Sequence, residues 1–263
     1  METRLATLIT ERHDDGLLLV TLNRPEVRNA INTRMGADLR EIFRPLAFEA
    51  RDIRCVVVTG AGKAFCAGGD LKERHGMTDE QWRAQHAVFE EAFYAVMHCS
   101  VPVMAAVNGA AFAGGCELAL ASDFIYAAKG ARFAFTETTL GIIPGVGGTQ
   151  NLPRALGARR AKEIIFSGKP FSAEEAFAWG MVNRLCESDE LMPAAMEIAR
   201  TICANAPVAV QQAKKAIHYG LNADLRTGLA FEIEAYNRTV GTEDRYEGVR
   251  AFAEKRKPRF SGR

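Results

Sequence analysis

Two apolar-rich stretches separated by a polar turn make the first 22 positions read as strands. Residues 5–10 and 17–22 flank His13-Asp14-Asp15-Gly16, a turn composition that predicts a hairpin. Asn23-Arg24-Pro25 ends the second strand, and a helical period covers 33–48, whose last turns Pro45 should break or kink. Two unbroken apolar runs follow, Cys55-Val56-Val57-Val58-Thr59 and Val103-Met104-Ala105-Ala106-Val107. Each reads as a buried strand, enters a glycine-rich stretch and leads on to a helix. Between them, Thr78-Asp79-Glu80-Gln81 reads as a capping box that opens a helix reaching about His98. Further strands are expected near 123–127 and 132–135, then a long glycine-punctuated loop from Leu140 to Thr149. Beyond about residue 150 the pattern is helical, over 158–166, 173–179, 189–204, 207–220, 224–239 and 242–255, with one strand-like piece at 182–186. The chain therefore reads as an α/β core followed by helices. With no flexible linker between them, the helical part should dock on the core or on a neighbouring subunit. The recurring order of strand, glycine loop and helix fits right-handed turns stacked into a spiral.

Composition adds boundaries rather than direction. A chain of 263 residues can form one large domain or a core with an appended subdomain, and 48% apolar with 25% charged residues is ordinary for a globular protein. A formal net charge of +1 gives no reason to expect nucleic acid or an anionic membrane as partner. The six cysteines form no C-x-x-C pair and several lie in apolar segments, as reduced thiols of a cytosolic protein do. The N-terminus mixes acidic and basic residues without a signal-peptide core, and no apolar run approaches the ~20 residues of a membrane span. A soluble, cytoplasmic protein is the expectation.

The chemistry gathers on the two glycine stretches, Lys63-Ala64-Phe65-Cys66-Ala67-Gly68-Gly69-Asp70 and Asn108-Gly109-Ala110-Ala111-Phe112-Ala113-Gly114-Gly115-Cys116-Glu117. Two strand–loop–helix junctions can aim two backbone N–H groups at one point, which is how a protein binds an oxyanion. Glu117 enters its helix within the first turn, where the helix N-terminus lowers a carboxyl pKa and apolar walls raise it. Glu137 ends a strand entering the glycine loop. If the two carboxylates converge, one can take a proton from a water while the other delivers one. Neither glycine stretch matches a dinucleotide or P-loop fingerprint, and no G-x-S-x-G elbow occurs. Cys66 and Cys116 are read as packing residues, because the five histidines (His13, His75, His86, His98 and His218) fall in turns or helices with no evident route to the loops. No cluster has metal-ligand spacing. Basic residues gather at 24–28 and 255–259, where phosphates on a substrate would give them a role.

Together these motifs resemble the enoyl-CoA hydratase/isomerase, or crotonase, superfamily. The likeness rests on Leu22-Asn23-Arg24-Pro25 with Asn29-Ala30, on Val58-Thr59-Gly60 through Asp70, and on Ala106-Val107-Asn108-Gly109 through Glu117-Leu118-Ala119. It continues through Glu137 to Gly147-Gly148-Thr149, then Ala176 with Trp179-Gly180-Met181-Val182, and Phe252-Ala253-Glu254-Lys255-Arg256. The resemblance implies an α/β, ClpP-like spiral of ββα units over 1–195 carrying the CoA site. A C-terminal helical region over 196–263 would assemble the chain as a homotrimer or a dimer of trimers. It implies an oxyanion hole from the backbone N–H groups of Ala67 and Gly114, with Glu117 and Glu137 as the acid–base pair. Substrate contacts would come from Ala67, Gly68, Gly69, Asp70, Leu71 and Gly141. Arg24, Arg28 and Lys257 would meet CoA phosphates, and Phe252 would lie near the adenine. The implied activity is an enoyl-CoA hydratase of fatty-acid or amino-acid catabolism, needing no cofactor because CoA arrives with the acyl-CoA substrate. An enoyl-CoA isomerase, a branched-chain hydratase of methylglutaconyl type and a CoA-binding scaffold or RNA-binding moonlighter are the rivals. The paired glutamates oppose the scaffold, and the near-neutral charge without a lysine-rich helix opposes RNA. Acyl specificity would lie in walls built by about 71–95, 138–146 and the C-terminal helices. Ala113 and Thr136 stand where relatives often carry glycine and proline.

Overall fold

The computed structural model describes residues 1–50 and 52–263. Among these described residues, eleven strands form two sheets: β1 (Glu2–Arg4), β2 (Leu8–Arg12), β3 (Leu17–Leu22), β4 (Cys55–Gly60), β5 (Ala64–Cys66), β6 (Val103–Val107), β7 (Ala110–Phe112), β8 (Phe124–Ala128), β9 (Arg132–Ala134), β10 (Phe171–Ser172) and β11 (Arg184–Cys186). The larger sheet runs β1-β2-β3-β4-β6-β8-β11 and the smaller β10-β9-β7-β5. The expected hairpin is present, with β2 antiparallel to β3 and Leu8 opposite Leu22. From β3 to β11 the larger sheet is parallel. Its inner strands β4 and β6 are buried at every position, which explains their unbroken apolar runs.

The spiral is written in the connections. Each inner strand of the large sheet passes straight into a strand of the small one, β4 into β5, β6 into β7 and β8 into β9, and β5, β7 and β9 run parallel to one another. Three stacked turns result. The glycine residues sit where successive turns touch: a Cβ at Gly109 would stand 2.2 Å from the Lys63 carbonyl oxygen, and one at Gly115 would stand 2.1 Å from that of Cys66. Side chains there would pry the layers apart.

One face of the large sheet packs on the helices 33–48 and 79–97 and on the small sheet, around Leu22, Phe43, Phe65, Phe93 and Phe133. The other face, with Leu17, Cys55, Val57, Met104 and Ala106, is covered by the helix Leu191–Cys203. The boundary expected between 195 and 196 falls inside that helix, and Ala199 and Cys203 beyond it are as buried as Ala195. Pro45 does not break the helix 33–48: the helix runs on to Phe48, and the Glu49 N–H donates to the Pro45 carbonyl at 2.9 Å. So near the end of a helix, the missing proline N–H removes a single bond. The sequence pattern missed the helix Gly148–Leu156, which begins inside the glycine loop and contains Pro153.

The last helices behave differently. Pro207–Gly220 and Leu225–Val240 lie against each other, and Glu243–Ala253 is fastened to the C-terminal tail by Asp244, whose carboxylate accepts the Ser261 and Gly262 N–H groups at 2.7 and 2.9 Å. Arg54 holds that tail to the core through the Phe260 carbonyl at 2.9 Å. Among the described residues, no helix is long and apolar enough to cross a membrane.

Candidate active site

A cavity of about 690 Å³ opens between the two glycine stretches, the 79–97 helix and the 137–148 segment. Glu117 and Glu137 both line it, so the structure brings the two carboxylates together as the sequence reading required. Glu117 projects from the first turn of the helix Gly114–Ala121. Its Oε1 accepts the Val146 N–H at 3.0 Å and the Gly148 N–H at 2.8 Å. The second donor opens the helix Gly148–Leu156, so a helix N-terminus points at the carboxylate. Burial raises the Glu117 pKa, and the N–H groups of Gly148, Val146 and Gly145 pull against it. Position 148 has to be glycine, because a Cβ there would stand 2.5 Å from the Phe135 ring and 2.9 Å from Glu117 Oε1. In the sequence this role of the glycine loop leaves no trace beyond the density of glycines.

Glu137 is held quite differently. It opens the short 3-10 turn Glu137–Leu140, is buried, and neither of its carboxylate oxygens has a hydrogen-bond partner. Burial pushes its pKa up to about 7, with the charge of Glu117 adding to the rise. Burial thus pushes both neighbouring carboxyls up, but amides support the anion of one and no hydrogen bond supports that of the other.

The oxyanion donors need a correction. The Ala67 N–H is not free: it donates to the Arg28 carbonyl at 3.0 Å. Its neighbour Gly69 forms a parallel bridge with Ile31, made by the Ile31 N–H on the Gly68 carbonyl at 2.7 Å and the Asp70 N–H on the Ile31 carbonyl at 2.9 Å. A parallel bridge uses the groups of the flanking residues, so the Gly69 N–H points away from it. Across the loop, the Gly114 N–H opens a helix and has no partner within it. A Cβ on Gly114 would stand 3.8 Å from the Gly69 nitrogen, so the two residues face each other at the cavity wall. Ala113, just before, holds φ +48° and ψ −123°, a backbone that L-residues avoid.

The remaining expected residues separate into three groups. Ala67, Leu71 and Gly141 line the cavity with Gly69. Gly68, Asp70 and Arg24 shape the wall from behind. Gly68 has φ +89° against the Phe112 carbonyl, while Arg24 Nη1 bonds Asp70 Oδ2 at 2.9 Å and the Ala30 carbonyl at 2.6 Å. The other Asp70 oxygen caps the turn Leu71–Arg74. Asn29, buried with φ +56°, ties this loop to the first glycine stretch through the Ala61 and Ala64 carbonyls. Arg28, Phe252 and Lys257 line no part of the cavity within one chain, and neither do the C-terminal helices.

Cys66 and Cys116 are buried packing residues as expected; burial pushes the Cys66 thiol up to about 12 and the Cys116 thiol well above its ordinary value. The expectation for the histidines fails at His86, whose ring reaches the cavity beside Gly145 and sits 3.3 Å from Glu90 Oε1. The helix 79–97 hid it, since Trp82, His86, Phe89 and Phe93 read as an ordinary core stripe at helical spacing. Among the described residues, no group of three His, Cys, Asp or Glu side chains is placed to hold a metal ion.

Residues 12–263 match the family described as enoyl-CoA hydratase/isomerase. The chain belongs to that family. A crystal structure of enoyl-CoA hydratase from Bacillus anthracis superimposes with a TM-score of 0.95 at 43% identity, over 98% of this chain and 100% of that one. The short-chain-enoyl-CoA hydratase of Clostridium acetobutylicum is 41% identical over 240 residues, 91% of this chain and 92% of the relative. The mitochondrial methylglutaconyl-CoA hydratase of Mus musculus is 37% identical over 265 residues, 99% of this chain and 84% of the relative. The fold is thus the crotonase fold, and an acyl-CoA is the substrate that membership in this hydratase/isomerase family implies.

Proposed function

We propose that the protein is an enoyl-CoA hydratase, adding water reversibly to the double bond of a trans-2-enoyl-CoA to give a 3-hydroxyacyl-CoA. The observation that carries this reading is the unequal glutamate pair in one cavity with two free backbone donors. A thioester carbonyl seated on the Gly69 and Gly114 N–H groups can accept the charge that arrives when water attacks the β-carbon. Each such donor is worth on the order of 3 kcal/mol in the transition state. Glu117, whose ionised form the loop amides favour, takes a proton from the water as its oxygen bonds to the β-carbon. Glu137, with a pKa raised to about 7, still holds a proton near neutrality and gives it to the α-carbon. Water, double bond and both protons are then accounted for without a further reagent. A double-bond isomerase needs one group to shuttle a proton; two buried carboxyls, one held by loop amides and one without hydrogen-bond partners, favour hydration.

The chain as described leaves Ile217, Leu225, Leu229, Ile233 and Tyr236 exposed on its C-terminal helices. That supports self-association there, as a homotrimer or dimer of trimers. The contacts of Arg28, Lys257 and Phe252 with CoA remain part of the proposal.

The deciding test is loss of enoyl-thioester absorbance on mixing the protein with enoyl-CoA substrates, beside Glu117→Gln and Glu137→Gln. The expected outcome is turnover that falls on the order of 10²- to 10⁴-fold in each variant while CoA-ester binding persists. Turnover that survives both substitutions would defeat this assignment, and double-bond migration in place of hydration would make the protein an isomerase.

A further inference from the structure

The 79–97 helix and the turn before it give the cavity a wall that is aromatic and charged at once. The guanidinium carbon of Arg74 lies 4.3 Å from the centre of the Trp82 ring and 5.4 Å from that of Phe89. Its Nε donates to Gln85 Oε1 at 2.8 Å. Gln85 is buried and fixed in turn, its amide nitrogen donating to Thr33 Oγ1 at 2.9 Å and Glu73 Oε2 at 2.6 Å. Glu73 Oε2 is thus engaged by two donors, since it also accepts the Thr33 N–H at 2.8 Å.

The other charges on this wall have companions. Glu90 pairs with His86 at 3.3 Å, and Arg83 lies 3.7 Å from Asp79. Arg74 makes no ion pair among the described residues, and its two Nη groups find no acceptor there. Burial lowers its pKa, against the opposing charge of Glu73. A half-buried guanidinium with idle donors is costly in a site meant for a plain hydrocarbon chain, and well placed in one that receives an anion.

Its position says which part of the substrate that anion belongs to. A Cβ on Gly69 would stand 3.3 Å from Arg74 Nη1, and Gly69 carries one of the two free N–H groups for the thioester oxygen. Arg74 shares the cavity with Glu117 and Glu137. An acyl chain only a few carbons long, anchored at its carbonyl, can place its far end within reach of the guanidinium.

We propose that Arg74 reads a carboxylate at the far end of the acyl chain, so that the substrate class is an enoyl-CoA built on a short dicarboxylic acid. The inference rests on the hydratase reading above and narrows it. A planar guanidinium pinned at Nε presents its two Nη groups as a fork, the geometry that a carboxylate matches with two parallel bonds. Trp82 and Phe89 fix the plane of that fork.

The experiment compares glutaconyl-CoA, a five-carbon enoyl thioester ending in a carboxylate, with 5-methylhex-2-enoyl-CoA, which puts an isopropyl group in place of that carboxylate, and with crotonyl-CoA. Wild type should favour glutaconyl-CoA. In Arg74→Met the ratio of kcat/KM for glutaconyl-CoA over its uncharged isostere should fall on the order of 10- to 100-fold, and Arg74→Lys should recover part of it. Calorimetric binding of the same pair of esters to Glu137→Gln should show the same preference without turnover. A loss shared equally by all three substrates would overturn the proposal and make Arg74 a contact to the CoA moiety. An unchanged ratio would overturn it outright. A wild type that binds glutaconyl-CoA preferentially but hydrates none of the three would instead defeat the hydratase reading and leave the carboxylate site standing.

Discussion

The spiral core and the C-terminal helices are built from similar proportions of apolar residues and reach opposite outcomes. In β4 and β6 every residue is buried, whereas the helices Pro207–Gly220 and Leu225–Val240 bury only Ala235. The strands meet partners on both faces because the chain returns three times to stack a further layer. The two helices meet mainly each other, and Leu225 remains 78% exposed. An apolar pattern that the chain's own fold leaves uncovered is a specification for a second surface, while the same pattern in a strand is satisfied from within.

The sharpest way to break that contrast is to remove one large side chain from each region. Phe65→Ala, in a fully buried position of β5, should cost about 3–5 kcal/mol in denaturant unfolding. Leu229→Asp, on a half-exposed position, should cost an isolated chain no more than about 0.5 kcal/mol, yet sedimentation should find the assembly reduced to monomers. An unchanged mass would mean that the exposed helices are not an interface.

A smaller effect sharpens the comparison inside the core, where Glu137 is a buried exception. Its folded pKa of about 7 exceeds the ordinary 4.5, so between those values the native state keeps a proton that the unfolded chain has released. The stabilisation is complete below about 4.5 and is lost as pH rises through about 7. Glu137→Gln should therefore gain on wild type by on the order of 2 kcal/mol between about pH 5 and about pH 8, read from denaturant midpoints at the two values. No change in the difference would show that the carboxyl titrates normally.

The smallest expected effect concerns Ala113, held at φ +48°. Ala113→Gly should relieve about 1–3 kcal/mol of backbone strain against about 0.5–1 kcal/mol of added chain entropy, a net gain near 1 kcal/mol in thermal or chemical melts. Destabilisation would mean that the methyl group packs more than it strains.

The sequence was readable where a local pattern decides the structure. Runs of Val and Ala marked β4 and β6, the Thr78 capping box opened its helix at the expected place, and the two glutamates stood out beside glycine. What stayed hidden was set by groups distant in the chain. Whether Ala67 or Gly69 offers a free N–H depends on how the loop pairs with Arg28 and Ile31, nearly 40 positions earlier, and a glycine count carries no trace of that register. Arg74 falls in the 71–95 stretch expected to wall the acyl site, but no local pattern singles it out; only the packing of Trp82, Gln85 and Phe89 turns it toward the cavity. Pro45 misled because its position three residues from the helix end matters more than its identity.

The bridge between Ile31 and Gly69 makes the reactive centre a question of parity. Along that short pairing, even-numbered neighbours 68 and 70 lock to Ile31 while the odd-numbered residue between them looks outward. Sliding the loop by one residue would keep a comparable set of bonds and turn the outward amide inward, leaving a folded protein with nothing to receive the thioester's charge. The length of the short loop between β5 and Gly69 is thus under a constraint finer than stability imposes, and an added or deleted residue there would silence the site while the spiral around it stood intact.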